Sequence, residues 1–138
     1  LTDEEIHLRP VPQAHTAAWQ LGHLIVSEQR MSEGVRAGSG VVLPAGFVEA
    51  HAKGAELNSS AARYTKGDYL ALMKQQREAT LALLGSLDER ELSAPAPEFM
   101  RAYAPHVGSV FASIAGHELM HSGQIAVLRR SLGKPVVI

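Results

Sequence analysis

Apolar residues along the chain recur with helical period in three long stretches, separated by connectors rich in Pro, Gly and Ser. The first stretch is predicted to run as a helix from Thr16, a suitable N-cap, to about Arg36, with Gly38 and Gly40 stopping it. Leu21, Leu24 and Ile25 cover the flanks of a face on which Trp19, Ser27 and Arg30 lie within about 40° of His23, so His23 is expected to point inward. The second helix is predicted from Thr65 or Lys66, with Asp68 in its first turn, to about Leu84, followed by Gly85. Leu70, Met73, Arg77, Thr80, Leu81 and Leu84 trace its expected inward stripe, interrupted by Arg77, and its role reads as structural. The third helix should span Val107 to Leu132, closed by Gly133 and Pro135.

The connectors carry a pattern of their own. Residues 1–15 open with a short acidic turn and end in Pro10-Val-Pro12, which must be extended. Residues 87–97 repeat this character, an acidic turn, an aliphatic residue and Pro95-Ala-Pro97, with a one-residue gap. Each copy precedes a histidine-bearing helix, but only the second follows a long one. The expectation is therefore one more helix upstream of Leu1, giving two similar halves of helix, connector and helix. Residues 38–64, with a possible short helix around Val48 to Ala55, read either as a crossover between parallel helices or as a lid with Phe47 or His51 reaching into a site. Residues 88–106 bring Tyr103 close to His106.

At 138 residues the chain is expected to form one all-α domain. Hydrophobic residues make up 46% and charged residues 20%, an ordinary globular balance, while few aromatics and many Ala and Leu favour helix. A net charge of -1 with a pI near 6.7 leaves no basic footprint for nucleic acid. Cysteine is absent, which excludes disulfides, thiolate ligands and a cysteine nucleophile, so any metal must rest on His, Asp and Glu. No apolar run approaches 18 residues and no signal-peptide pattern appears, so a soluble cytoplasmic protein without membrane contact is expected.

The candidate chemistry lies in Ile114-Ala-Gly-His117-Glu118-Leu-Met-His121-Ser-Gly-Gln124-Ile125. His117 and His121 stack on one helical face at i and i+4, a spacing that one metal ion can bridge. Val110, Ile114, Gln124 and Leu128 lie on the same side, so both rings should face inward. Two inward histidines could each be satisfied by a separate buried polar partner, but one shared ion satisfies both at once. His23 is the best third ligand among the seven histidines, and Gln124 could orient a bound ligand or pack as a buried amide. A fourth protein ligand such as His106 would close the site and make it structural, whereas an open position suits catalysis. Arg30 reads as a solvated or ion-paired residue rather than a substrate clamp, and Arg129 and Arg130 as surface or partner-contact residues. Trp19 reads as core packing, or else as a wall of the site.

The string His117-Glu118-Leu-Met-His121 also fits the zincin metalloprotease motif, with Glu118 as general base. Only 17 residues follow His121 and none is Glu, and no further histidine follows either, so both extended zincin patterns fail. Glu118 points about 100° away from His117, as a flank carboxylate would.

Trp19-Gln-Leu-Gly-His23 after a Pro-x-Pro connector, His117-x-x-x-His121-x-x-Gln124-Ile125 on the last helix and the Arg129-Arg-x-Leu-Gly-Lys-Pro135 tail together resemble the DinB/YfiT-like metalloenzyme family over nearly the whole chain. The resemblance implies an up-up-down-down four-helix bundle whose first helix lies upstream of Leu1. It implies a divalent metal held by His23, His117 and His121, and a homodimer; imidazole ligands lead us to expect zinc or nickel. It further implies a small-molecule substrate and a low-molecular-weight thiol, in a bacillithiol- or mycothiol-type S-transferase or a related hydrolase or isomerase acting on a small electrophile. Two other readings stay open: a non-catalytic, stress-related metal-binding or dimerising bundle, and a helical interaction module with no metal.

Overall fold

The computed structural model describes residues 1–55 and 64–135. Three long helices dominate these residues: α1 (Ala17–Val35), α3 (Lys66–Gly85) and α5 (Val107–Ser131). Two single-turn helices, α2 (Phe47–His51) and α4 (Glu89–Ser93), lie in the connectors, and no strand is present among the described residues. The all-α expectation therefore holds.

Local chemistry sets the helix ends. Thr16 caps α1 by accepting from the Trp19 amide at 3.1 Å. Thr65 and Asp68 cap α3 reciprocally, as Asp88 and Glu91 do for α4. At the other end, Gly133 takes φ of 67°, and Lys134 returns its amide to the Arg129 carbonyl at 2.9 Å, closing α5. The repeated connectors share the same device, because Thr2 and Glu5 exchange amide hydrogen bonds at 2.7 and 3.2 Å, just as Asp88 and Glu91 do at 2.9 and 2.7 Å.

Two apolar clusters hold the helices. One joins Ile6 of the first connector to Ala17, Ala18 and Ile25 of α1, Phe47 of α2, Tyr69 of α3 and Leu128 of α5. The other joins Ala96, Met100 and Ala104 of the second connector to Val110 and Ile114 of α5, with Met31 and Val35 of α1 packed against it. The N-terminal half of α1 thus meets the C-terminal half of α5, so these helices run in opposite directions. Tyr69 meets the start of α1 and Thr80 bonds Ser32 near its end at 3.1 Å, so α1 and α3 run the same way. Residues 38–64 make the crossover between them; their 56–63 portion lies outside the described residues.

The inward face of α3 differs from the expected stripe. Tyr69, Gln76, Thr80 and Leu83 are buried, whereas Leu70 and Leu81 are exposed. Polar side chains occupy the interior because each is satisfied there. Gln76 accepts from the Val41 amide at 3.1 Å and donates to Thr80 Oγ1 at 3.2 Å. Arg77 lies beside this face and meets Glu28 of α1 and Glu118 of α5, an ion cluster shared by all three long helices.

Candidate metal centre

The two clusters hold α1 against α5; on α5 His117 and His121 lie between them, and on α1 His23 lies among the residues of the first. His23 comes from the middle of α1, and His117 and His121 come from successive turns of α5. One nitrogen from each ring lies within 4.8 Å of the others. Among the described residues no carboxylate belongs to this group. His121 is buried, and the other two are partly exposed.

Hydrogen bonding identifies the nitrogens that face the centre. His23 Nδ1 lies 3.1 Å from the carbonyl oxygen of His51, which can only accept, so Nδ1 carries the proton and Nε2 presents its lone pair. His121 Nδ1 lies 3.1 Å from Gln20 Oε1. The amide of Gln20 is oriented by its other end, whose Nε2 donates to the His15 carbonyl at 3.4 Å. His121 Nε2 and His117 Nε2 face each other across 3.1 Å. Ser27 Oγ approaches His23 Nε2 at 3.5 Å from one turn further along α1.

Burial is the main cause of depressed basicity in all three rings. It holds His23 and His117 below the ordinary histidine value. His121 falls to about 4, through burial first and then the neighbouring His117, His23 and His15. The rings are thus neutral at physiological pH, the state a metal ligand requires. Three neutral nitrogens this close together are a donor set that could hold one metal ion.

The surroundings differ from the sequence expectation in several places. Trp19 stacks between His15 and His23, with ring centroids 3.5 and 4.7 Å away, so it is at once core and wall. Gln124 is exposed, because it shares the direction of His117, which is itself only partly buried, rather than that of the buried His121. His106 is the N-cap of α5, about three turns before His117, and does not belong to the group of three rings. Phe47 and the ring of His51 enter the core rather than the centre. The His51 ring donates from Nδ1 to the Phe47 carbonyl at 2.8 Å, and its Nε2 accepts from the Tyr69 hydroxyl at 3.0 Å. Only the backbone carbonyl of His51 touches the site.

Arg30 lies over the Phe99 ring at 4.5 Å from its centroid. Arg129 bonds the Pro135 carbonyl, and Arg130 is exposed. Glu118 is tied to Arg77 at 2.7 Å, which holds its carboxylate in an ion pair.

Gln20, Gly22 and the His51 carbonyl are the contributors that sequence reasoning missed. A Cβ on Gly22 would fall inside the His51 ring, so only glycine lets α2 pack this close to α1. Gln20 carried a signal: it is an amide set among Ala17, Ala18, Trp19 and Leu21 in an otherwise apolar turn.

No helix among the described residues is long and apolar enough to cross a membrane. Searches among curated proteins and among solved structures returned no match. A sequence profile of the DinB superfamily matches residues 1–125, nine-tenths of the chain. His23, His117 and His121 all fall within that match, and the chain belongs to the DinB superfamily.

Proposed function

We propose that this DinB-superfamily chain binds one divalent ion, zinc or nickel, through His23, His117 and His121, and uses it in small-molecule chemistry. The observation carrying the reading is the approach, to within 4.8 Å, of three neutral nitrogens from two helices far apart in sequence. An ion held there by three protein ligands supplies a Lewis-acid position that polarises a carbonyl or favours the anionic form of a thiol or water. The favoured activity is a bacillithiol- or mycothiol-type S-transferase, or a related hydrolase or isomerase, acting on a small electrophile. The all-nitrogen donor set supports it, since the ligands leave the ion's charge uncompensated and an incoming anion is attracted. Ser27 Oγ lies 3.5 Å from His23 Nε2, close enough for its hydroxyl to orient an incoming group. Proteolysis through Glu118 is disfavoured by its ion pair with Arg77.

A second reading, a non-catalytic metal-binding or dimerising bundle, draws on a different observation. Leu70 and Leu81 on α3 and Leu119, Met120 and Val127 on α5 are at least half exposed. Such a surface suits a fourth bundle helix or a second copy of the chain. Sedimentation of the purified protein separates monomer from homodimer.

The test of the metal reading is elemental analysis of untagged protein beside the His23→Ala variant. Near one equivalent in the parent and little in the variant is expected. Absence of metal in both, with none taken up on titration, would sink the proposal. Thiol consumption by the loaded protein, measured with and without a panel of small electrophiles, then separates the transferase from the non-catalytic reading.

A further inference from the structure

Metal sites depend on the groups that hold their ligands as well as on the ligands themselves. Here the two most constrained rings each have an acceptor behind them, supplied by different elements. We infer that Gln20 Oε1 and the backbone carbonyl of His51 are positioning groups that fix His121 and His23 as Nδ1–H tautomers, so that both Nε2 lone pairs converge before any ion arrives. The inference rests on the metal reading for its consequence, but the tautomers themselves are a property of the metal-free protein.

The argument is one of donor and acceptor inventory. A peptide carbonyl has no proton to give, so the 3.1 Å contact at His23 admits only one tautomer. At His121 the same conclusion needs the amide of Gln20 to be oriented, and the His15 carbonyl orients it from the far side. Gln20 is 2% exposed and cannot exchange its partners for solvent. His117 differs: its Nε2 faces the lone pair of His121 Nε2 across 3.1 Å, which favours the Nε2–H form in the metal-free protein, so its lone pair becomes available only when that proton moves to Nδ1. His117 is partly exposed, which lets solvent receive the relocated N–H. Two preset ligands and one adjustable ligand follow from this arrangement.

The carbonyl of His51 is itself held in place by side chains. Its ring bonds the Phe47 carbonyl and the Tyr69 hydroxyl, and Gly22 leaves the space for that ring against α1. Positioning of His23 thus draws on α1, α2 and α3 together.

The experiment has two arms. Long-range proton–nitrogen NMR of the chelator-treated parent reads the tautomer of each histidine directly. His23 and His121 are expected as Nδ1–H forms and His117 as the Nε2–H form; finding His23 or His121 protonated on Nε2 overturns the inference even if the protein binds metal well. The second arm compares zinc affinity, by competition with a chromophoric chelator, in Gln20→Leu and Gln20→Glu. Loss of the acceptor in Gln20→Leu should weaken binding about 10- to 100-fold and release the His121 tautomer, whereas Gln20→Glu, which keeps an acceptor for His121 but loses the donor to the His15 carbonyl, should retain the Nδ1–H form and bind more tightly than Gln20→Leu. Equal weakening in both variants, with the His121 tautomer unchanged, would assign Gln20 to packing alone. If Gln20→Leu fails to fold, Gln20→Glu and the parent spectrum still decide. A parent that takes up no zinc defeats the metal reading, and its spectrum still decides the tautomers.

Discussion

The guanidinium of Arg77 on α3 grips the carboxylate of Glu28 on α1 through two parallel hydrogen bonds, each of 2.9 Å. Glu28 is only 4% exposed, so its charge has no solvent to fall back on. Replacing Arg77 by Ala leaves that carboxylate buried and uncompensated and should cost roughly 3 kcal/mol. Denaturant unfolding should show a lower midpoint with an unchanged slope. Glu118→Gln breaks the more exposed branch and should cost well under about 1 kcal/mol. Metal content should stay the same in Glu118→Gln, since the ion pair holds that carboxylate apart from the three histidines.

Gly22 and His51 should behave as a coupled pair. Gly22→Ala drives a methyl group into the buried ring and should destabilise the protein by roughly 2 kcal/mol, as overpacking commonly does. It should also weaken metal binding by moving the carbonyl behind His23. The Gly22→Ala/His51→Ala double variant removes the ring and keeps the backbone carbonyl, so part of both losses should be recovered. A double-mutant cycle in stability and affinity measures that recovery; strict additivity would refute the coupling.

Acid should weaken the metal-free fold from near-neutral pH downwards. His121 has a folded value near 4 against an ordinary value of 6.5, and His15, His23, His51 and His117 are lowered in the same sense. The unfolded chain therefore binds protons that the folded chain refuses. Stability should be flat above about pH 6.5 and fall as the pH drops from there towards about 4. Carboxylates with lowered values, such as Glu33, contribute their own loss only below about 4.5. Urea titrations at half-unit intervals on chelator-treated protein should show this fall, shallower in His121→Gln.

His121→Ala should abolish stoichiometric metal binding while leaving helix content largely intact, because α5 is fastened by Val110, Ile114 and Leu128 on either side of the vacated position. Circular dichroism and elemental analysis of one preparation test both halves of the statement. Unchanged metal content would remove His121 from the centre.

The helix ends were legible because their causes are local: Thr16, Thr65 and Gly133 act within one turn of themselves. The grouping of His23 with His117 and His121 was legible from facing positions on two helices, strengthened by the family resemblance. The rotation of α3 was not, since periodicity favours Leu70 and Leu81, while Gln76 and Thr80 are tolerated inside only by partners on the neighbouring loop and helix. The support of His23 was equally hidden. It comes from a main-chain carbonyl, an atom every residue possesses, brought close by the absence of a side chain at Gly22.

Gln20 and His121 touch across 101 positions of sequence, and His23 adds its nitrogen from the same helix as Gln20. An ion bound there would act as a reversible cross-link, closing a loop that includes α2, α3 and α4. Loop closure is entropically costly in the unfolded chain, so the ion should be released early in unfolding and captured late in folding. Metal supply would then set how long the folded chain survives heat or protease, and the protein's lifetime would itself register the free metal concentration around it.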